Sequence, residues 1–346
     1  MRHLSLPAVV AAVVMLGVIP PAAAAAPAQV PTAQVPAAQP KTEVLKQRQL
    51  ASGETESVIR FGPIIAQPND GGGHAHAATP KHGPHEPDHG KHTMVVGALI
   101  PPCVNCYLTS VTPNLTYKDG QSANYDTGVI LHHAVVFDRS KEDPTCGNGQ
   151  SLLGLGGQRI FATGNERTAG VVPDGYGVSL GQIPLTWTLV ELMNTSSSWQ
   201  PVYVDYTVTH VPNSKPGMKP ITVVWMDKAN CRNSQHNAPK GESHFTWQWK
   251  SNLSGTVKTV GGHLHDGGQI ISTSNKTTGQ TFCDMPAGYD NKPAYQGHID
   301  TLPTCSGADL GKIRKGDVLE LNSTYHTHFA DPAVMSIALL YVAENE

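Results

Sequence analysis

Val202-Tyr-Val-Asp-Tyr-Thr-Val-Thr-His210 alternates apolar and polar side chains with a period of two, the pattern of a strand with one buried face. The same texture recurs on both sides of it. Upstream lie the β-branched runs Met94-Val-Val-Gly-Ala-Leu-Ile100 and Gly128-Val-Ile-Leu-His-His-Ala-Val-Val-Phe137. Downstream come Pro220-Ile-Thr-Val-Val-Trp-Met226, Phe245-Thr-Trp-Gln-Trp249, Gly268-Gln-Ile-Ile-Ser272, Val318-Leu-Glu-Leu-Asn322 and Val334-Met-Ser-Ile-Ala-Leu-Leu-Tyr-Val342. No segment sustains helical spacing with caps, and 34 glycines and 27 prolines supply turns. The pattern predicts an all-β protein of two antiparallel β-sandwiches in tandem, residues 93–217 and 218–346, divided near Asn213 to Pro220.

The N-terminus predicts the compartment. Met1-Arg2-His3 is a short positive start, Pro7 to Pro21 is largely apolar, and Ala22 to Ala26 offers small residues for cleavage. Residues 1–26 therefore read as a secretory signal peptide, too short and wrongly flanked for a membrane anchor. The expected product is secreted and not inserted in a membrane. Six cysteines, an even number in an oxidising compartment, are expected to form disulfides. Cys103-Val-Asn-Cys106 resembles half a zinc ribbon, but no second C-x-x-C follows, which argues against zinc. The sequence leaves the connectivity open; a shared loop-rich region suggests Cys283 with Cys305.

Residues 27–92 read as a disordered Pro- and Ala-rich linker. Its end carries six histidines, His74, His76, His82, His85, His89 and His92, among glycines and prolines that suit neither helix nor strand. Such a tract collects copper, zinc or nickel with little selectivity. A net charge of -3 and scattered Lys and Arg leave no basic patch for nucleic acid or anionic lipid. No Ser-His-Asp order, phosphate loop or carboxylate pair supports a hydrolase or nucleotide reading.

The remaining histidines are the candidate chemistry. In His263-Leu-His265, residues two apart project from one face of a strand, so both imidazoles can reach one ion. Surface pairs of this kind also arise by chance. His132-His133 is harder, because adjacent strand residues point to opposite faces and two adjacent ligands need a bulge or a strand end. Spacing alone favours one core and one surface histidine; against that, the pair interrupts an apolar strand where an unpaired imidazole is costly. His210 ends its strand just before Val211-Pro212. Met335 lies in the last strong strand, where methionine more often fills a core; as a ligand, its soft thioether favours Cu(I). His326-Thr-His328 reads as an extra ligand pair, a support for ligands, or a polar loop.

Taken in order, His-His, a strand-end His, H-x-H and a Met in the final strand resemble the ascorbate-dependent type II copper monooxygenases. That family includes the peptidylglycine α-hydroxylating and dopamine β-hydroxylating enzymes. The matching stretches are Leu131-His-His-Ala-Val-Val-Phe137, Val204-Asp-Tyr-Thr-Val-Thr-His210, Gly262-His-Leu-His265, and Gly316-Asp-Val-Leu-Glu320 leading to Met335-Ser-Ile-Ala-Leu-Leu-Tyr341. A stress-upregulated nodulin-like branch of secreted proteins is similar too. The resemblance implies two jelly-roll-like domains facing each other across a cleft. It implies one copper on His132, His133 and His210, and a catalytic, oxygen-binding copper on His263, His265 and Met335. The activity implied is that of an oxidoreductase: with O2 and a reductant such as ascorbate, it hydroxylates a substrate C–H bond.

The chain departs from the family where peptides bind. Peptide-amidating members carry an Arg two residues before the H-x-H, where Gly261 stands, and an Asn and a Tyr past the Met, where Ile337 and Leu339 stand. Those groups anchor a substrate carboxylate, so the resemblance carries over the metal ligands and leaves the substrate, small molecule or peptide, open. A non-catalytic copper-binding or copper-buffering protein is the competing reading, and the His-rich tract suits both.

Overall fold

The computed structural model describes residues 39–69, 90–147, 156–231 and 234–346. The expected signal peptide and His74, His76, His82, His85 and His89 lie outside them. The described chain is nearly all strand; a 3₁₀ turn at Pro293–Tyr295 is the helical element recorded there. All eight runs read from sequence lie within or overlap strands. They are β3 (Lys91–Ala98), β5 (Val129–Asp138), β10 (Gln200–Pro212), β11 (Lys219–Asp227), β13 (Gly241–Lys250), β15 (Gly268–Asn275), β20 (Val318–Thr327) and β21 (Asp331–Glu344).

One stretch differs from expectation. Residues 41–66, placed within the disordered linker by composition, form β1 (Lys41–Gln49) and β2 (Thr55–Ala66). The reason lies in β2, whose Ile59, Phe61 and Ile64 are fully buried and whose ladder pairs with β10. β1 is polar and exposed, and its pairing with β2 holds it as an edge strand.

The largest sheet runs β1-β2-β10-β4-β8-β11-β21-β14-β19, with β4 (Cys106–Thr116), β8 (Tyr176–Leu180), β14 (Gly255–Leu264) and β19 (Cys305–Ile313). It crosses the expected boundary without a break, because β11 pairs with β8 on one side and β21 on the other. A two-stranded ribbon, Gly288–Tyr289 with Ile299–Thr301, and two four-stranded sheets complete the fold. One is β3-β9-β5-β6, with β9 (Thr186–Asn194) and β6 (Gln158–Thr163); the other is β13-β20-β15-β16, with β16 (Gln280–Pro286).

Two hydrophobic cores result, and β11 and β21 serve both. Val223 and Trp225 of β11, with Ile337, Leu339 and Tyr341 of β21, join a core with Leu131 of β5, Leu192 of β9 and Tyr206 of β10. The alternate residues Val224, Met226, Ala338, Leu340 and Val342 join a core with Val257 of β14, Ile271 of β15 and Leu321 of β20. Period two therefore divides one strand between two interiors, which is why β21 is buried without a break from Val334 to Ala343.

All six cysteines are paired, Cys103–Cys106, Cys146–Cys231 and Cys283–Cys305. The last is the pair the loop-rich region suggested, and the first accounts for the C-x-x-C without zinc. Among the described residues, no helix is long and apolar enough to cross a membrane.

Candidate metal centre

His132 and His133 are both buried, and the backbone explains how. Pairing of β5 with β9 slips by one residue between Leu131 and His133, so Leu131 faces Leu192 and His133 faces Glu191. His132 is the extra residue of a bulge, which turns both imidazoles to one region. Their Nδ1 atoms are 3.0 Å apart.

From the other half of the chain, His263 sits near the end of β14 and His265 just past it. His133 Nε2 lies 3.2 Å from His263 Nε2 and 3.0 Å from His265 Nε2. His132, His133 and His265 also offer ligand atoms that all lie within 4.8 Å of one another. Four of the six expected ligands thus meet in one cluster.

Carboxylates grip this cluster from behind. His133 Nδ1 is 3.0 Å from Glu191 Oε2, and His263 Nδ1 is 3.0 Å from Glu166 Oε1. A carboxylate on one ring nitrogen fixes tautomer and orientation, leaving Nε2 with its lone pair toward an ion. Burial pushes both carboxyls up, but the facing imidazoles outweigh it. Glu166 is held below its ordinary range, and Glu191, which meets three histidines, well below. Burial, followed by the neighbouring His132, drives His133 down to about 3, and the same causes lower His265. His133 and His265 are therefore neutral imidazoles beside anionic carboxylates at neutral pH, the protonation state a metal needs.

Two residues hold the geometry in place. A Cβ on Gly164 would stand 2.3 Å from His263 Cε1, so only glycine admits the ring there. The Gly164 N–H also donates to Glu166 at 3.0 Å. Tyr325, fully buried, accepts from the His265 N–H at 3.1 Å and donates to the Met335 carbonyl.

Beside the cluster lies a cavity of about 270 Å³. His133, His263 and Glu191, with Thr163, Ser234 and Gln235, are its polar lining; Met94, Val135, Trp225, Met335 and Ile337 form much of the rest. Met335 thus shares this cavity with His133 and His263, on the face of β21 that joins the first core. His210 is elsewhere: it is buried on β10 and its Nε2 is 3.0 Å from Ser57 Oγ. His326 and His328 are exposed, with ring centroids 5.8 Å apart. His92 approaches from β3, its Nδ1 2.9 Å from Glu191 Oε1.

Sequence reasoning did not find Glu191, Glu166, Gly164 or Tyr325. Glu191 alone left a trace, as the one charged residue in Thr186-Trp-Thr-Leu-Val-Glu-Leu-Met-Asn194.

The donor set fits copper. About 3.3 Å separates ligand nitrogens around a tetrahedral ion with bonds of about 2.0 Å, and the His133–His263 and His133–His265 pairs, at 3.2 and 3.0 Å, are each close to that spacing. Imidazoles suit copper, and a nearby thioether favours its reduced state.

No protein-family model matches the chain. It is similar to Probable copper-dependent oxygenase M1 of Phoma sp., 28% identical over 262 residues, covering 71% of this chain and 66% of that protein. Probable copper-dependent oxygenase clz3 of Cochliobolus lunatus is 27% identical over 254 residues, covering 68% of this chain and 79% of that protein. The match thus spans just under two thirds of the first relative's length. The relationship is to copper oxygenases at large; the ascorbate-dependent and nodulin-like branches are finer than these names reach.

Proposed function

We propose that this protein is a secreted copper-dependent oxygenase that hydroxylates a C–H bond using O2 and an external reductant such as ascorbate. One observation carries the reading: imidazoles from both halves of the chain meet at His133 Nε2, beside a largely apolar cavity. Two relatives named as copper-dependent oxygenases support it. His133, His263 and His265 would hold the catalytic copper, with His132 adjoining and Met335 available from the cavity wall. When bound, copper supplies the one-electron chemistry that activates O2.

The chain's own groups do the rest. Glu191 and Glu166 hold His133 and His263 by their Nδ1 atoms and so fix the orientation of the two rings. Trp225, Met335 and Ile337 give the cavity an apolar wall that excludes water and favours an uncharged part of a substrate. With Gly261, Ile337 and Leu339 where peptide-amidating enzymes carry polar anchors, the substrate is one that needs no carboxylate clamp. Three disulfides suit an oxidising, extracellular compartment.

The test is O2 consumption by the copper-loaded protein on addition of ascorbate, with the copper-loaded His263→Asn variant as control. Consumption that depends on His263 is expected. A wild-type rate equal to that of the variant would overturn the oxygenase reading and leave a copper-buffering protein.

A further inference from the structure

The Glu191 carboxylate faces more imidazole than one ion's ligands require. Its Oε2 is 3.0 Å from His133 Nδ1 and 3.4 Å from His132 Nδ1, while Oε1 is 2.9 Å from His92 Nδ1. His132 and His133 also bring their Nδ1 atoms within 3.0 Å of each other, so two N–H groups cannot both point into that space. His92, His132 and Glu191 offer ligand atoms all within 4.8 Å of one another, a second group overlapping the first only at His132. The His92 and His132 rings stand edge to face, 4.7 Å apart. The two groups also differ in access. The His132 side chain is 9% exposed and that of His92 is 38% exposed, so this group opens further to solvent than the first, whose members are buried or half-buried.

We propose that His92, His132 and Glu191 form a second copper position, on the solvent side of the buried histidines and sharing Glu191 with them. The inference rests on the copper reading above. Two imidazoles and a carboxylate oxygen are a harder donor set than histidines with a thioether, so this position favours Cu(II). His92 is also the last histidine of the His-rich tract, so the tract's chain leads directly to this ligand.

The experiment uses the full-length chain with His74, His76, His82, His85 and His89 replaced by Asn, which removes copper bound by the tract. Cu(II) is added, loosely held ion is removed with a weak chelator, and copper is counted with the paramagnetic resonance signal recorded. Two equivalents with mutually broadened signals are expected. His92→Ala should retain one equivalent with an isolated signal, and added imidazole should restore the second by filling the half-open space. His263→Asn should lose the other equivalent. A single equivalent, unchanged in amount and signal by His92→Ala, would overturn the second position and make His92 only a hydrogen-bond partner of Glu191. Failure of every form to retain copper would instead overturn the copper reading itself. Imidazole rescue separates lost ligation from misfolding, since a misfolded variant would not regain the ion.

Discussion

His133 Nε2 lies 3.0 Å from His265 Nε2, although the two residues are 132 positions apart. Two imidazole nitrogens so close share at most one proton, and depressed basicity at both sites removes the acidic alternative. The contact is therefore prepared for a cation, and its surroundings make several behaviours predictable.

Glu191→Gln keeps the shape of the side chain and removes its charge. Copper affinity, measured by competition with a chelator of known strength, should fall by about 10- to 100-fold. An unchanged affinity would show that Glu191 does not support the ligands.

Gly164→Ala forces a methyl against His263. Copper affinity should fall while the thermal midpoint of the metal-free protein stays within a few degrees. A large loss of metal-free stability instead would mean that Gly164 serves the fold more than the site.

The metal-free protein should lose stability in mild acid. Burial holds His133 near 3 in the folded state, against an ordinary 6.5. Between those values the unfolded chain binds the proton that the folded chain refuses, so stability falls as pH drops below 6.5. At pH 5 the loss from His133 alone is about 2 kcal/mol. Urea unfolding at several pH values should give a shallower slope for His133→Asn than for the parent.

Tyr325→Phe leaves the His265 N–H and the Met335 carbonyl without their shared partner. Equilibrium unfolding should show a loss of about 1–3 kcal/mol. Copper affinity should fall as well, because the backbone that carries His265 loses its tie.

The Cys146–Cys231 bridge spans 85 residues and joins loops on either side of the expected boundary. By loop-closure entropy, Cys146→Ser with Cys231→Ser should cost up to about 4–5 kcal/mol. Chemical unfolding with and without the bridge measures it.

The fold was legible because period-two alternation is local, and Val202 to His210 reads the same in isolation as in its sheet. β1 and β2 are hidden in the sequence because the Pro-rich composition around them masks Val58, Ile59 and Phe61, whose partners lie in β1 and, far along the chain, in β10. At the site, histidine is conspicuous and His263-Leu-His265 is close in sequence, so both could be found. The meeting of His133 with His263 could not, since a bulge at His132 and the approach of β14 set it. Glu191 and Glu166 carry no motif; only the folded chain shows that they face imidazoles. His210 matched the expected order, yet its local hydrogen bond is to Ser57 of β2.

β21 gives each of its faces to a different core, and it spans residues 331 to 344. Neither interior can close without this strand, so removing residues 331–344 should open both cores together and leave no independently folded half.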